Sequence, residues 1–138
     1  MPEPQTPPDT VHCTIDGVEL EIPKGTRMID ACARVGVDVP HYCYHPGLSA
    51  PAQCRQCLVE VEGMPKLMPA CVTTVAEGNN ILTQSEKSLK ARKGNLEFYL
   101  LNHPLDCPVC DQSGECKLQD YVAEEGPAMG RLNEPKRI

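Results

Sequence analysis

At 138 residues the chain has room for one domain, or for one domain plus a smaller appendage. Its net charge of −6, from 19 acidic against 13 basic residues, offers no basic stripe for a phosphate backbone and so argues against a nucleic-acid partner. No apolar run approaches the roughly 18 residues of a membrane span. With one phenylalanine, four tyrosines and no tryptophan, a core must rest mainly on Val, Leu, Ile and Ala. Bound metal is a natural supplement, since ligation free energy is also folding free energy.

Residues 1–10, MPEPQTPPDT, hold four prolines and read as a disordered lead-in. They carry neither the basic-then-apolar pattern of a secretory signal nor the Arg-rich pattern of an import sequence. Val11 to Ile22 predicts a hairpin: Val11, Cys13 and Ile15 alternate inward, Asp16-Gly17 makes the two-residue turn, and Val18, Leu20 and Ile22 alternate back. Thr26 is the candidate N-cap of a helix with Ile29, Cys32, Ala33 and Val35 on its apolar side, closed by Gly36. Cys13 and Cys32 thus read as small buried apolar residues. From 39 to 52 there are glycine and prolines without periodicity, hence a loop. Leu58, Val59 and Val61 predict a strand turned by 63–65, with further short strands near 66–68 or 72–75 and at 81–83. A small α+β domain over 11–84 results.

Ser85 opens a second helix with Leu89, Leu96 and Leu100 on one face, which Phe98, Tyr99 and Leu101 widen into a buried end. Gly94 weakens it by roughly 1 kcal/mol relative to alanine. Asn102-His103-Pro104 stops it, because the residue before proline is pushed out of the helical region. A cysteine-bearing unit follows, so that 85–125 is a second module and 126–138 a tail.

Nine cysteines, an odd number with no signal peptide, fit a disulfide framework poorly; clustered thiols in a reducing compartment point to metal. Cys43, Cys54, Cys57 and Cys71 form C-x10-C-x2-C-x13-C. Four thiolates can close a tetrahedral zinc site or hold a [2Fe–2S] rhomb. The long loop and its small residues Gly47, Ser49, Ala50 and Ala52 favour the cluster, because backbone amides can then approach the sulfurs. His41 and His45 suggest a Rieske arrangement, but Cys54-x2-Cys57 has no histidine partner, so both read as loop histidines. His103, Cys107, Cys110 and Cys116 form H-x3-C-x2-C-x5-C, a compact set for a cubane or zinc, with Gly114 allowing the turn before Cys116. There is no Gly-rich dinucleotide loop, no Cys–His–carboxylate set and no acid–base carboxylate pair, so no complete catalytic site is read in the chain.

Taken together, CYHPGLSAPAQCRQCLVEVEG and NHPLDCPVCDQSGEC resemble the N-terminal part of the large iron–sulfur subunit family of respiratory complex I, the NADH:quinone oxidoreductases, from about Val11 to Leu118. Similar modules open NAD-linked hydrogenase diaphorases, [FeFe]-hydrogenases and some formate dehydrogenases. The resemblance implies a β-grasp [2Fe–2S] ferredoxin-like domain followed by a small helical [4Fe–4S] module with one histidine and three cysteine ligands. It assigns Cys43, Cys54, Cys57 and Cys71 to the binuclear cluster, and His103, Cys107, Cys110 and Cys116 to the cubane. It further implies one-electron relay within an NADH:quinone oxidoreductase, docked to a flavin-bearing NADH-oxidising subunit and other iron–sulfur subunits. The expected location is cytoplasmic, peripheral to the inner face of the cell membrane. An electron-input module of a hydrogenase or formate dehydrogenase is the neighbouring alternative, and a zinc-bound structural module the alternative of another class. Two departures stand out: Ala52 occupies a position where the family often has glycine, and the family continues into further [4Fe–4S] cysteines beyond Lys136-Arg137-Ile138. A fragment, a split subunit and a reduced homologue are the readings left by the second.

Overall fold

The computed structural model describes residues 9–138, so the first eight residues of the proline-rich lead-in lie outside the described residues. Strands β1 (Thr10–Ile15) and β2 (Val18–Pro23) form the antiparallel hairpin, in register from Thr10 opposite Pro23 to Ile15 opposite Val18. Asp16 and Gly17 have φ of 48° and 87°, the left-handed pair that lets a two-residue turn follow the twist of its strands. Helix α1 (Met28–Arg34) crosses to the loop, and β3 (Leu58–Val61), β4 (Met68–Pro69) and β5 (Asn79–Leu82) complete one mixed sheet in the order β2-β1-β5-β3-β4. The parallel pairing of β1 with β5 at its centre requires a crossover, which α1 and the cysteine loop supply.

Val11, Cys13, Ile15, Ile22, Val59, Val61 and Ile81 from the sheet pack with Met28, Ile29, Ala31 and Cys32 from α1. Full burial of each large aliphatic contributes about 1.5–3 kcal/mol. Two features differ from the sequence expectation. On β2 only Ile22 is buried, while Val18 is exposed and Leu20 intermediate, because β2 is an edge strand beyond the reach of α1. Thr26 does not cap α1: its hydroxyl turns back to the Pro23 carbonyl at 2.6 Å, Arg27 stands at the cap with no side-chain bond, and Ala33 faces solvent while Met28 and Ala31 are buried.

Ser85 does cap α2 (Glu86–Leu100), accepting from the Ser88 N–H. The buried stripe is Ser88, Arg92 and Leu96, at i, i+4 and i+8, with Leu89 at its margin. Phe98 is 71% exposed and Tyr99 only partly covered, so the end of α2 is not the buried one expected. A short 3-10 turn (Cys107–Val109) and α3 (Lys117–Glu125) follow, with α3 packed on α2. Residues 126–138 form no regular element but return to α2: Arg131 Nε donates to Glu97 Oε1 at 2.6 Å, and the Arg137 N–H to Asn102 Oδ1 at 2.9 Å.

Candidate metal centres

The loop between α1 and β3 brings Cys43, Cys54 and Cys57 to the end of the sheet, and the turn after β4 adds Cys71. The last three are at most 9% exposed and Cys43 is half-buried. The Cys43 and Cys54 sulfurs are 3.4 Å apart, and Cys57 and Cys71 share a second side-chain hydrogen bond, so the four sort into two pairs. Burial alone raises the Cys43 thiol, yet hydrogen bonds from the Cys54 backbone and side chain and from the Gln53 and Cys43 backbone bring it below the ordinary thiol value. Amides therefore point at this sulfur, as a ligand loop requires. Cys71 is pushed up to about 12 by burial, then by its bond to Cys57 and the charges of Cys57, Cys43 and Cys54. Thiols this close resist ionising together, and a bound cation relieves that resistance.

Several contacts hold the loop. The Tyr44 hydroxyl donates to Asp30 on α1, and the Tyr99 hydroxyl on α2 donates to the Cys54 carbonyl at 2.7 Å. His41 Nδ1 bonds the Val39 carbonyl at 2.7 Å, and His45 Nδ1 accepts from the Gly47 N–H at 3.1 Å, so both rings have local partners. Ala52 sits at φ 55°, the left-handed conformation that glycine adopts without cost and alanine at roughly 1 kcal/mol or more. Replacing Ala52 by glycine is expected to stabilise the chain by about 1 kcal/mol, read as a higher midpoint in thermal unfolding.

His103, Cys107, Cys110 and Cys116 all line one cavity of about 110 Å³, together with Pro104, Asp106, Ser113 and Gln119. The imidazole is thus beside the three thiols, on a segment freed from α2 by Pro104. Gly114 has φ 88°, which lets the chain reverse before Cys116, and its N–H donates to Gln119 Oε1 at 3.0 Å. This cavity is several times the ~30 Å³ share of one water and suits a body larger than a single ion. Among the described residues no three His, Cys, Asp or Glu groups converge on one ion-sized point.

Residues that the sequence pattern does not single out connect the two sets. Tyr42, beside Cys43, packs edge-on against Tyr99 of α2 and Tyr121 of α3, with ring centroids 5.4 and 5.3 Å away. Gln56, between Cys54 and Cys57, is fully buried with both amide atoms unpartnered, and the buried Tyr42 hydroxyl has no partner either. Orphaned polar atoms of this kind beside candidate sulfur ligands fit sites built around an additional polar body.

Residues 8–86 match the 2Fe-2S iron-sulfur cluster binding domain family, and residues 92–130 match the NADH-ubiquinone oxidoreductase-G iron-sulfur binding region. The chain is 48% identical over 92% of its length to the NADH-ubiquinone oxidoreductase 75 kDa subunit of Reclinomonas americana, of which it covers 18%. It is 47% identical over 95% of its length to NADH dehydrogenase [ubiquinone] iron-sulfur protein 1, mitochondrial, of Solanum tuberosum, again covering 18%. A chain in the crystal structure of an NAD+-reducing [NiFe]-hydrogenase in the H2-reduced state superposes with a TM-score of 0.76 at 25% identity, over 92% of this chain and 55% of that one. The chain therefore spans about a fifth of the curated relatives it matches, and its cofactors are a [2Fe–2S] and a [4Fe–4S] cluster. With a β-grasp sheet carrying one thiol set and a helical module carrying the other in the same order as the two matched regions, the chain belongs to the 2Fe-2S iron-sulfur cluster binding domain family, in the form that continues into the NADH-ubiquinone oxidoreductase-G iron-sulfur region.

Proposed function

We propose that the chain relays single electrons within an NADH:quinone oxidoreductase, with Cys43, Cys54, Cys57 and Cys71 holding the [2Fe–2S] cluster and His103, Cys107, Cys110 and Cys116 the [4Fe–4S] cluster. The observation that carries this reading is that Cys43 pairs with Cys54 and Cys57 with Cys71 at the end of the sheet, while His103, Cys107, Cys110 and Cys116 line one cavity of the second module, where α3 packs on α2. When bound, such clusters accept and release one electron without a substrate site. The protein's part is to hold, insulate and tune. The pairs Cys43/Cys54 and Cys57/Cys71 would hold the [2Fe–2S] cluster between them, and burial keeps water from three of the four sulfurs. The second set lies nearer the surface, where Leu105 and Val109, 70% and 82% exposed, give apolar ground for a neighbouring subunit. A flavin-bearing NADH-oxidising subunit and other iron–sulfur subunits are the proposed partners. The proposed place is peripheral, at the inner face of the cell membrane; no helix among the described residues is long and apolar enough to cross one.

The likeness to the hydrogenase chain favours a second reading, an electron-input module for NAD-linked hydrogenase chemistry. Identities of 47–48% to oxidoreductase subunits against 25% to the hydrogenase chain rank it second. Iron and acid-labile sulfide analysis with low-temperature EPR tests the assignment of both sets. About six irons per chain and two distinct reduced signals are expected. Colourless anaerobic material filled with zinc would refute it in favour of a structural zinc module.

A further inference from the structure

Two carbonyls of the Cys54-x2-Cys57 knuckle are held by side chains of α2. The Tyr99 hydroxyl donates to the Cys54 carbonyl at 2.7 Å, and Asn95 Nδ2 donates to the Arg55 carbonyl at 2.6 Å. Asn95 and Tyr99 stand four residues apart, so they share one face of the helix and reach consecutive peptides. The Cys57 end of the knuckle is held otherwise: its carbonyl accepts from the Ala70 N–H at 3.1 Å, beside the pairing of β3 with β4. Cys54 and Arg55 precede β3 and stand outside its ladder. Arg55 moreover has φ 56°, a left-handed conformation that a residue with a side chain keeps only where its surroundings impose it. Asn95 bonds the carbonyl of that same residue, so α2 supplies the constraint. Peptide planarity gives both bonds a consequence on the far side of the chain. In a trans peptide the C=O of one residue and the N–H of the next point in opposite directions. With the Cys54 and Arg55 carbonyls turned to α2, the Arg55 and Gln56 N–H groups turn away from it.

We propose that Asn95 and Tyr99 are positioning residues for the [2Fe–2S] centre: by holding the Cys54 and Arg55 carbonyls they aim the Arg55 and Gln56 amides at the sulfurs of that centre, and so raise its reduction potential. The inference rests on the ligand assignment above and deepens it. Both donors lie within 92–130, the region matched to the second module, whereas the knuckle they hold lies within 8–86. The reduced form of the centre carries one more negative charge than the oxidised form, and N–H donors aimed at sulfur favour the more negative state. The first centre is thereby tuned by a helix of the second module.

The test is an EPR-monitored redox titration of the full cluster-loaded chain with Asn95→Leu and with Tyr99→Phe, each of which keeps the side chain's shape and removes its donor. The expected result for both is an unchanged iron content, a lower midpoint for the [2Fe–2S] signal and an unmoved [4Fe–4S] midpoint, with a larger shift when the two are combined. Ser85→Ala is the comparison. It removes the cap bond to the Ser88 N–H at the far end of α2, so it should lower the thermal midpoint of the chain and leave both potentials in place. Selective loss of the [2Fe–2S] signal in Asn95→Leu, with the [4Fe–4S] signal retained, would also support the proposal. No shift in either variant, equal shifts of the two signals, or a [2Fe–2S] shift in Ser85→Ala as large as in the others would overturn it. Loss of both signals or of the fold in Tyr99→Phe would overturn it as well, since the hydroxyl would then serve the whole chain rather than one centre. Wild-type material lacking either signal would instead sink the ligand assignment, an outcome visible before any variant is compared.

Discussion

Replacing Arg92 by alanine is expected to destabilise the chain by about 3–5 kcal/mol, with a fall of roughly 10 °C or more in the thermal midpoint. Arg92 lies on α2 with no exposed surface. Its Nη1 donates to Glu125 Oε1 of α3 at 2.9 Å and its Nη2 donates to the Thr83 carbonyl. Thr83 in turn donates its N–H to Asp16 Oδ1 at 2.8 Å and its hydroxyl to Asp16 Oδ2. One polar chain thus runs from the hairpin turn through the end of β5 to α2 and α3, tying the sheet domain to the module that carries the second ligand set. Alanine leaves Glu125, only 15% exposed, facing a cavity with no counter-charge. Breaking a buried pair from one side is costly because a charge is left uncompensated; replacing both partners by apolar residues of similar size is often neutral or better. The double variant Arg92→Met with Glu125→Leu should therefore recover most of the loss. If it unfolds as readily as Arg92→Ala, the carbonyl of Thr83 rather than the ion pair sets the cost.

Strands are legible in the sequence where one rule decides the structure. In the hairpin, alternation and Asp16-Gly17 agree, and the observed register is the one they imply. The eight proposed ligands stand out by their spacing within each set, and one cavity gathers His103 with Cys107, Cys110 and Cys116. The failures share one cause, in that long-range packing selects among locally equal choices. Apolar periodicity on α2 emphasises leucines, yet the stripe that faces the sheet and α3 is Ser88, Arg92 and Leu96, and no apolar rule finds a buried arginine. Thr26 has the chemistry of a cap, but the nearby Pro23 carbonyl takes its hydroxyl. Phe98 stays exposed because the covering segments, α3 and the tail, lie on other faces of α2. Tyr42, Tyr99 and Tyr121 meet only in three dimensions, so their cluster has no sequence signature.

Replacing His103 by cysteine is expected to retain the [4Fe–4S] centre and lower its midpoint potential by on the order of 100 mV, while the [2Fe–2S] potential stays fixed. The sign follows from charge: a thiolate in place of a neutral imidazole adds one negative charge to the ligand set and disfavours the reduced form. The size follows from Rieske centres, where exchanging two thiolates for two imidazoles on one iron raises the potential by a few hundred millivolts. A single exchange spread over four irons, at a site whose His103 and Cys110 are both exposed, belongs at the low end. Geometry permits the exchange because residues 101–106 lie outside any helix and can move inward to compensate for the shorter side chain. The tail resists that movement, since Lys136 Nζ bonds the Leu100 carbonyl at 2.5 Å and the Arg137 N–H bonds Asn102 Oδ1. EPR titration separates the outcomes. An unchanged midpoint with full iron would remove His103 from the ligand set despite its place in the cavity, whereas loss of the second signal alone would show that only the longer imidazole bridges from the end of α2 to the three thiols.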